Sequence, residues 1–183
     1  MTKTICFDVE TGGVNPYNCA ICSVSLKVVG SDEKMTVFVK PTKKRRYEQK
    51  ALDINKLSIS YLEEYGVSEL EAATKIEDFI VEHGGFKPKA LAHNIIFDVQ
   101  FLNVLFMRHK KKLFMDLMHY HPIDTMILMR FLKDTGVITT SSVSLVNSYK
   151  YFFGREFNGA HSSMEDVIAT EQVYMKILDV MNK

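Results

Sequence analysis

Cysteine is scarce: Cys6, Cys19 and Cys22 are the three thiols in 183 residues. They are too few and too oddly numbered for a disulfide framework, so a reducing compartment is expected. Long apolar runs are missing as well. Nothing approaches the roughly 18 residues a membrane span needs, and the start, Met1-Thr2-Lys3-Thr4-Ile5-Cys6-Phe7-Asp8, meets an acid before a signal-peptide core can form. No membrane partner and a cytoplasmic location are therefore expected. Nor does one sign of charge dominate: 23 Lys and Arg stand against 22 Asp and Glu, a formal net charge of +1. Attraction for a polyanion must then come from local patches. What remains is ordinary: 46% hydrophobic and 25% charged residues exclude a disordered or fibrous chain, and the length predicts a single domain over residues 1–183.

Residues 3 to 9 read as a strand with Ile5, Phe7 and Val9 on one face, and residues 20 to 29 and 35 to 40 as two more. Short links between them predict an antiparallel meander. Within the second strand Ala20, Cys22, Val24, Leu26 and Val28 alternate with Ser23, Ser25 and Lys27, so Cys22 reads as core and not as half of a functional Cys19-x-x-Cys22 pair. Leu70, Ala73, Ile76, Phe79 and Ile80 predict a helix near 68 to 83, stopped by Gly84 and Gly85. Ala90-Leu91-Ala92 reads as a short buried strand running into a helix that starts at Asn94 and ends near Lys110 to Lys112, a parallel crossover. Helical patterns return at about 123 to 134, 143 to 153 and 163 to 182. The expected architecture is α/β, a mixed sheet of an antiparallel three-strand meander plus parallel strands, flanked by helices.

Three groups of residues carry chemistry. Asp8 and Glu10 are two apart on a strand, so both project from the face opposite Phe7 and Val9. At roughly 7 Å and an effective dielectric near 20 they repel by about 2 kcal/mol, which a divalent cation would convert into binding. Asp98 falls in the first turn of a helix if Asn94 is its N-cap, where an acid also complements the helix dipole. Ser162 and Glu165 have the spacing of a capping box, which would set His161 beside Asp166 at a helix start.

Phe7-Asp8-Val9-Glu10-Thr11-Gly12-Gly13, then His93-Asn94-Ile95-Ile96-Phe97-Asp98-Val99-Gln100-Phe101-Leu102, then His161 followed by Asp166 resemble the three exonuclease motifs of the DnaQ-like, DEDDh family. Asp124-Thr125 and Ala51-Leu52-Asp53-Ile54-Asn55 resemble its secondary signatures. The resemblance implies a ribonuclease H-like fold and removal of nucleoside 5′-monophosphates from a 3′ end. By motif, Asp8, Glu10 and Asp166 would bind two Mg²⁺ or Mn²⁺ ions, Asp98 would complete the acidic cluster, and His161 would be the general base. Two metal ions can activate water and neutralise a scissile phosphate, and an imidazole with a pKa near 6.5 can take the proton at neutral pH. Thr11, Gly12, Gly13 and Val14 would line the terminal nucleotide, with Val14 where many relatives carry a larger wedge. Asn94 would cap its helix and could touch substrate.

Two basic clusters, Lys40, Lys43, Lys44, Arg45, Arg46 and Arg108, Lys110, Lys111, Lys112, could track phosphates or be solvated surface. His119 and His121 have metal-ligand spacing but no evident third ligand. The leading expectation is an exonuclease acting on single-stranded 3′ ends, DNA favoured. The alternatives are an exoribonuclease of the ribonuclease T or oligoribonuclease type, which differs only in 2′-hydroxyl contacts, and a non-catalytic nucleic-acid-binding module. A polymerase or replication partner is compatible. Because the chain ends at Lys183 directly after the last helix, no polymerase-holding tail is expected.

Overall fold

The computed structural model describes residues 2–157 and 162–182. Strands β1 (Thr4–Thr11), β2 (Ile21–Val28) and β3 (Lys34–Phe38) form the expected antiparallel meander, and β4 (Lys89–Ala92) and β5 (Ile123–Asp124) extend it in parallel, giving the order β3-β2-β1-β4-β5. Strand β1 lies at the centre. Its Ile5, Phe7 and Val9 enter a large core with Ile76, Phe101 and Phe106 from helices α3 (Glu69–Phe79) and α4 (Ile95–Arg108). On the other face Cys6 packs with Leu91 and Val167 beneath α7 (Ser163–Met181), which also packs against α5 (Thr125–Asp134) and α6 (Leu145–Phe153). All three cysteines are buried thiols.

Several expected boundaries shift for physical reasons. The helix expected from 68 to 83 is α-helical only to Phe79; Ile80–Gly84 form a π-helical turn, and the chain leaves it at Gly85 with φ 75°, a conformation glycine adopts without a Cβ penalty. Ile123 and Asp124, expected within a helix, are instead strand β5, because Asp124 turns its carboxylate onto the N–H groups of Met126 and Ile127 and starts α5 after itself. Helices α1 (Gln49–Asn55) and α2 (Ile59–Tyr65) had no counterpart in the sequence reading. Each buries one residue, Asn55 and Leu62 respectively, so neither carries an apolar stripe. No helix among the described residues is long and apolar enough to cross a membrane.

Candidate active site

The period-2 pleat of β1 puts Asp8 and Glu10 on the face that α7 covers, and α7 brings Asp166 to them. Carboxylate oxygens of Asp8, Glu10 and Asp166 lie within 4.8 Å of one another. Immediately after Glu10 the β1–β2 register shifts, Glu10 pairing with Ser23 but Thr11 with Ile21. Such a bulge bends the strand and ends its regular pairing. Asp98 approaches from the other side of the strand. β4 stops at Ala92, leaving the edge of β1 open beyond Cys6, and there Asp98 Oδ1 accepts the N–H of Val9 at 3.0 Å. Asp98 is 3% exposed.

Burial and mutual repulsion perturb all three of the acids around β1. Asp8 is pushed well above the usual carboxylate range by burial, then by the charges of Asp98, Asp166 and Glu10. Glu10 is raised to about 8 by burial and then by Asp166 and Asp98. Asp98 also rises to about 8: burial outweighs the hydrogen bond from Val9, and Asp124 and Asp166 add repulsion. Among the described residues, none of the ion pairs includes Asp8, Glu10 or Asp98. A hard divalent cation, which takes carboxylate oxygens as ligands, fits this donor set.

The capping expectations are corrected. Asn94 does not cap α4 with its side chain; its backbone is left-handed at φ 67° and ψ 49°. The cap is Asp124, whose two oxygens accept the N–H groups of Asn94 at 3.0 Å and Ile95 at 3.1 Å while also starting α5. Asp124 can reach both helices because it pairs with Ala92 across the β4–β5 ladder. At α7, Ser162 makes no side-chain cap bond, so the capping box does not form. Ser163 instead turns its hydroxyl onto Ser23 and Ser25. His161 lies outside the described residues. His93 links two segments, with Nδ1 2.9 Å from Thr125 Oγ1 and Nε2 2.9 Å from the Val143 carbonyl, and burial depresses its pKa.

A cavity of about 480 Å³ opens beside Glu10, lined by Thr11, Gly13, Val14, Ala51, Ile54 and Phe97. Its near wall is shaped by close backbone approach. A Cβ on Gly12 would lie 2.7 Å from the Arg46 carbonyl, and one on Gly13 2.6 Å from Cys19 Sγ. The Thr11 hydroxyl donates to the Gly13 carbonyl at 2.7 Å, and Asn55 Nδ2 donates to the Thr11 carbonyl at 3.1 Å. Asn55, the last residue of the Ala51-Leu52-Asp53-Ile54-Asn55 signature, closes α1 before the left-handed Lys56 and anchors this wall, a role the sequence reading did not assign to it. Val14 is 77% exposed at the rim.

The basic clusters are partly committed to structure. Arg45 donates to both oxygens of Glu69 at 2.8 and 3.2 Å, and Arg108 Nη1 and His109 Nε2 approach the same carboxylate at 3.5 and 3.4 Å. Burial works to raise Glu69, but Arg45, Arg108 and His109 together hold it below its usual value. Arg108 Nη2 also donates to the carbonyls of Pro16 and Tyr17, so this ion cluster braces the segment that follows Val14. Lys111 pairs with Glu77. His119 and His121 have ring centroids 5.5 Å apart, and they form no metal-ligand group among the described residues.

A five-stranded mixed sheet with a carboxylate trio where its central strand meets the last helix is the ribonuclease H-like architecture of nucleases. A family model described as exonuclease, of the RNase T type, matches residues 5–174, and the chain belongs to this family of DnaQ-like 3′→5′ exonucleases, which are phosphodiester hydrolases. Ribonuclease T of Buchnera aphidicola subsp. Baizongia pistaciae is 26% identical over 191 residues, which cover 96% of this chain and 83% of the relative. Two solved exonuclease I structures share the fold. That of E. coli with a dT13 oligonucleotide superposes with a TM-score of 0.81 at 21% identity, covering 97% of this chain and 41% of the other. That of Methylocaldum szegediense gives 0.84 at 18% identity, covering 100% and 42%. The chain thus spans about two fifths of the length of these exonuclease I chains.

Proposed function

We propose that the chain is a metal-dependent exonuclease that hydrolyses the terminal phosphodiester at the 3′ end of single-stranded nucleic acid and releases nucleoside 5′-monophosphates, residues 1–183 acting as one exonuclease domain. The observation that carries this reading is the meeting of Asp8, Glu10 and Asp166 within 4.8 Å. The adjoining cavity of about 480 Å³ has the size of small-ligand pockets and supports a nucleotide there. Asp8, Glu10 and Asp166 hold two divalent ions, Mg²⁺ or Mn²⁺, and Asp98 adds the fourth negative charge from α4. When bound, the ions supply an activated water and neutralise the scissile phosphate. His161 accepts the water's proton, a task for which a carboxylate committed to a cation is too acidic. Thr11, Gly12, Gly13 and Val14 seat the terminal nucleotide, and Asn94, relieved of the side-chain cap, joins them as a substrate contact.

DNA is the favoured substrate, a reading supported by the exonuclease I relative solved with a dT13 oligonucleotide. The ribonuclease T relative, matched over 96% of this chain, supports a second reading, an exoribonuclease. A replication partner belongs to the same proposal; one related structure is a complex of exonuclease I with SSB-Ct.

The test is digestion of end-labelled single-stranded DNA, duplex DNA and RNA with Mg²⁺, Mn²⁺ or EDTA, using wild type and Asp8→Asn. Mononucleotides should leave the 3′ end only with a divalent ion and only from wild type, and a 3′-blocked strand should survive. Full activity in EDTA sinks the metal assignment; rapid cutting of a closed single-stranded circle would identify an endonuclease. The faster of the two single-stranded substrates decides between DNA and RNA.

A further inference from the structure

Helix α7 meets the sheet through a run of hydroxyls. Ser163 Oγ lies 3.1 Å from Ser23 Oγ and 2.8 Å from Ser25 Oγ, and Ser25 Oγ lies 2.8 Å from Thr36 Oγ1. Ser163, Ser23 and Ser25 are 3%, 1% and 0% exposed. A hydroxyl carries one donor and two acceptor sites, so the three contacts use three of the four donors, and Thr36 at one end of the run is exposed to solvent. The position of the run is specific. In the β1–β2 ladder Ser23 stands opposite Glu10 and Ser25 opposite Asp8, and opposite residues of an antiparallel pair project from the same face. The hydroxyls and the two carboxylates therefore lie side by side under α7.

Ser163 and Asp166 are three apart on α7 and so share one helix face. The middle of α7 has its own anchor: Glu171 Oε2 is 2.6 Å from Lys27 Nζ, and Glu171 Oε1 accepts the Gly30 N–H at 2.6 Å. Asp166 sits on the helix between these two attachments to β2 and its turn. Ser162, the N-cap residue, makes no side-chain cap bond. Ser163 attaches the first turn to β2 through its hydroxyl, which meets both Ser23 and Ser25.

We propose that Ser163 is a positioning residue for the metal site: its hydroxyl, held between Ser23 and Ser25, fixes the first turn of α7 so that Asp166 meets Asp8 and Glu10. The inference rests on the reading of those three acids as ligands of a divalent cation. A divalent cation needs the oxygens of all three acids in one place, as they are here within 4.8 Å, and only Asp166 among them comes from α7. The hydroxyl tether fixes the start of the helix and so keeps the ligand set assembled. Groups that orient metal ligands without touching the metal typically change affinity 10- to 100-fold when removed.

The experiment is calorimetric titration of Mn²⁺ into wild type, Asp8→Asn, Ser163→Ala, Ser25→Ala, the Ser25→Ala/Ser163→Ala double variant and Ser163→Thr, each well below its melting temperature. Wild type should bind and Asp8→Asn should not. Ser163→Ala should weaken Mn²⁺ binding about 10- to 100-fold, and Ser163→Thr, which keeps the hydroxyl, should recover most of that loss. Ser25→Ala removes one of the two Ser163 contacts from the strand side, leaving that to Ser23, so it should weaken binding less than Ser163→Ala, and the double variant should bind no worse than Ser163→Ala alone. If wild type and Asp8→Asn bind alike, the metal reading and this inference fall together. If Asp8→Asn loses binding while Ser163→Ala keeps wild-type affinity, the metal reading stands and the positioning role is overturned. Should Ser163→Ala fail to fold, a Ser23→Ala/Ser25→Ala double variant, which removes both contacts from the strand side, decides by the same criterion.

Discussion

The carboxylate of Asp98 accepts the backbone N–H of Val9 at 3.0 Å, fastening helix α4 to strand β1 at the one residue that separates Asp8 from Glu10. Asp98 thus has two separable jobs, an acceptor for a buried donor and a negative charge beside the other acids. Asp98→Asn keeps an amide oxygen for Val9 and should leave stability nearly unchanged while removing most activity. Asp98→Ala strands the Val9 N–H and should also cost about 1–3 kcal/mol of stability. Urea unfolding midpoints set beside nuclease rates separate the two jobs; equal stability of both variants would show that the Val9 bond contributes little.

The raised acids give the metal-free protein a distinctive pH dependence. Glu10 moves from 4.5 to about 8 on folding, and Asp98 from 3.8 to about 8. Between those limits the folded chain binds more protons than the unfolded one, so their contribution to stability is present at low pH and is lost as pH rises toward 8. In EDTA, the unfolding midpoint should therefore fall from pH 6 to pH 8. Saturating Mn²⁺ should reverse the trend, because its ligands must be deprotonated. A flat profile in EDTA would contradict the burial of these groups as carboxylic acids.

His161→Ala should lower kcat by about 10²- to 10⁴-fold, the usual contribution of a general base, with Mn²⁺ affinity largely retained. The contribution of this imidazole to the wild-type pH–rate profile should disappear in the variant. A variant that keeps the wild-type rate and pH profile removes His161 from the reaction.

Gly12→Ala tests the wall of the cavity beside Glu10. The new methyl would stand 2.7 Å from the Arg46 carbonyl, which is held by the Ala20 N–H at 3.1 Å, while the Gly12 carbonyl accepts from Glu48 at 2.7 Å. The backbone on both sides is tied, so the substitution should destabilise by about 1–3 kcal/mol, as overpacking does, and should raise KM more than it lowers kcat. Steady-state kinetics on a short single strand, with a thermal melt, check both effects.

The period-2 alternation of residues 3 to 10 was enough to place Asp8 and Glu10 on one face and Ile5, Phe7 and Val9 on the other, because pleat geometry is local. The motif order likewise identified the family, the meander followed by strand–helix alternation gave the mixed sheet, and the apolar stripes of α3, α4 and α7 were readable from their spacing. Short helices were not: α1 and α2 bury one residue each and leave no stripe to read. The local cap signals at Asn94 and Ser162 misled, since each was overruled by a partner far along the chain. Asp124, 30 residues away from Asn94, reaches α4 because β4 and β5 pair side by side. Ser163 meets Ser23 and Ser25 at separations of 140 and 138 residues, where packing of α7 on the sheet brings them together. The amino-acid sequence determined which acids face one way along a strand or helix, because side-chain direction repeats with the backbone. Only tertiary packing decided which donors and hydroxyls hold those acids together, because a hydrogen bond requires two atoms in one place and residue spacing carries no record of that distance.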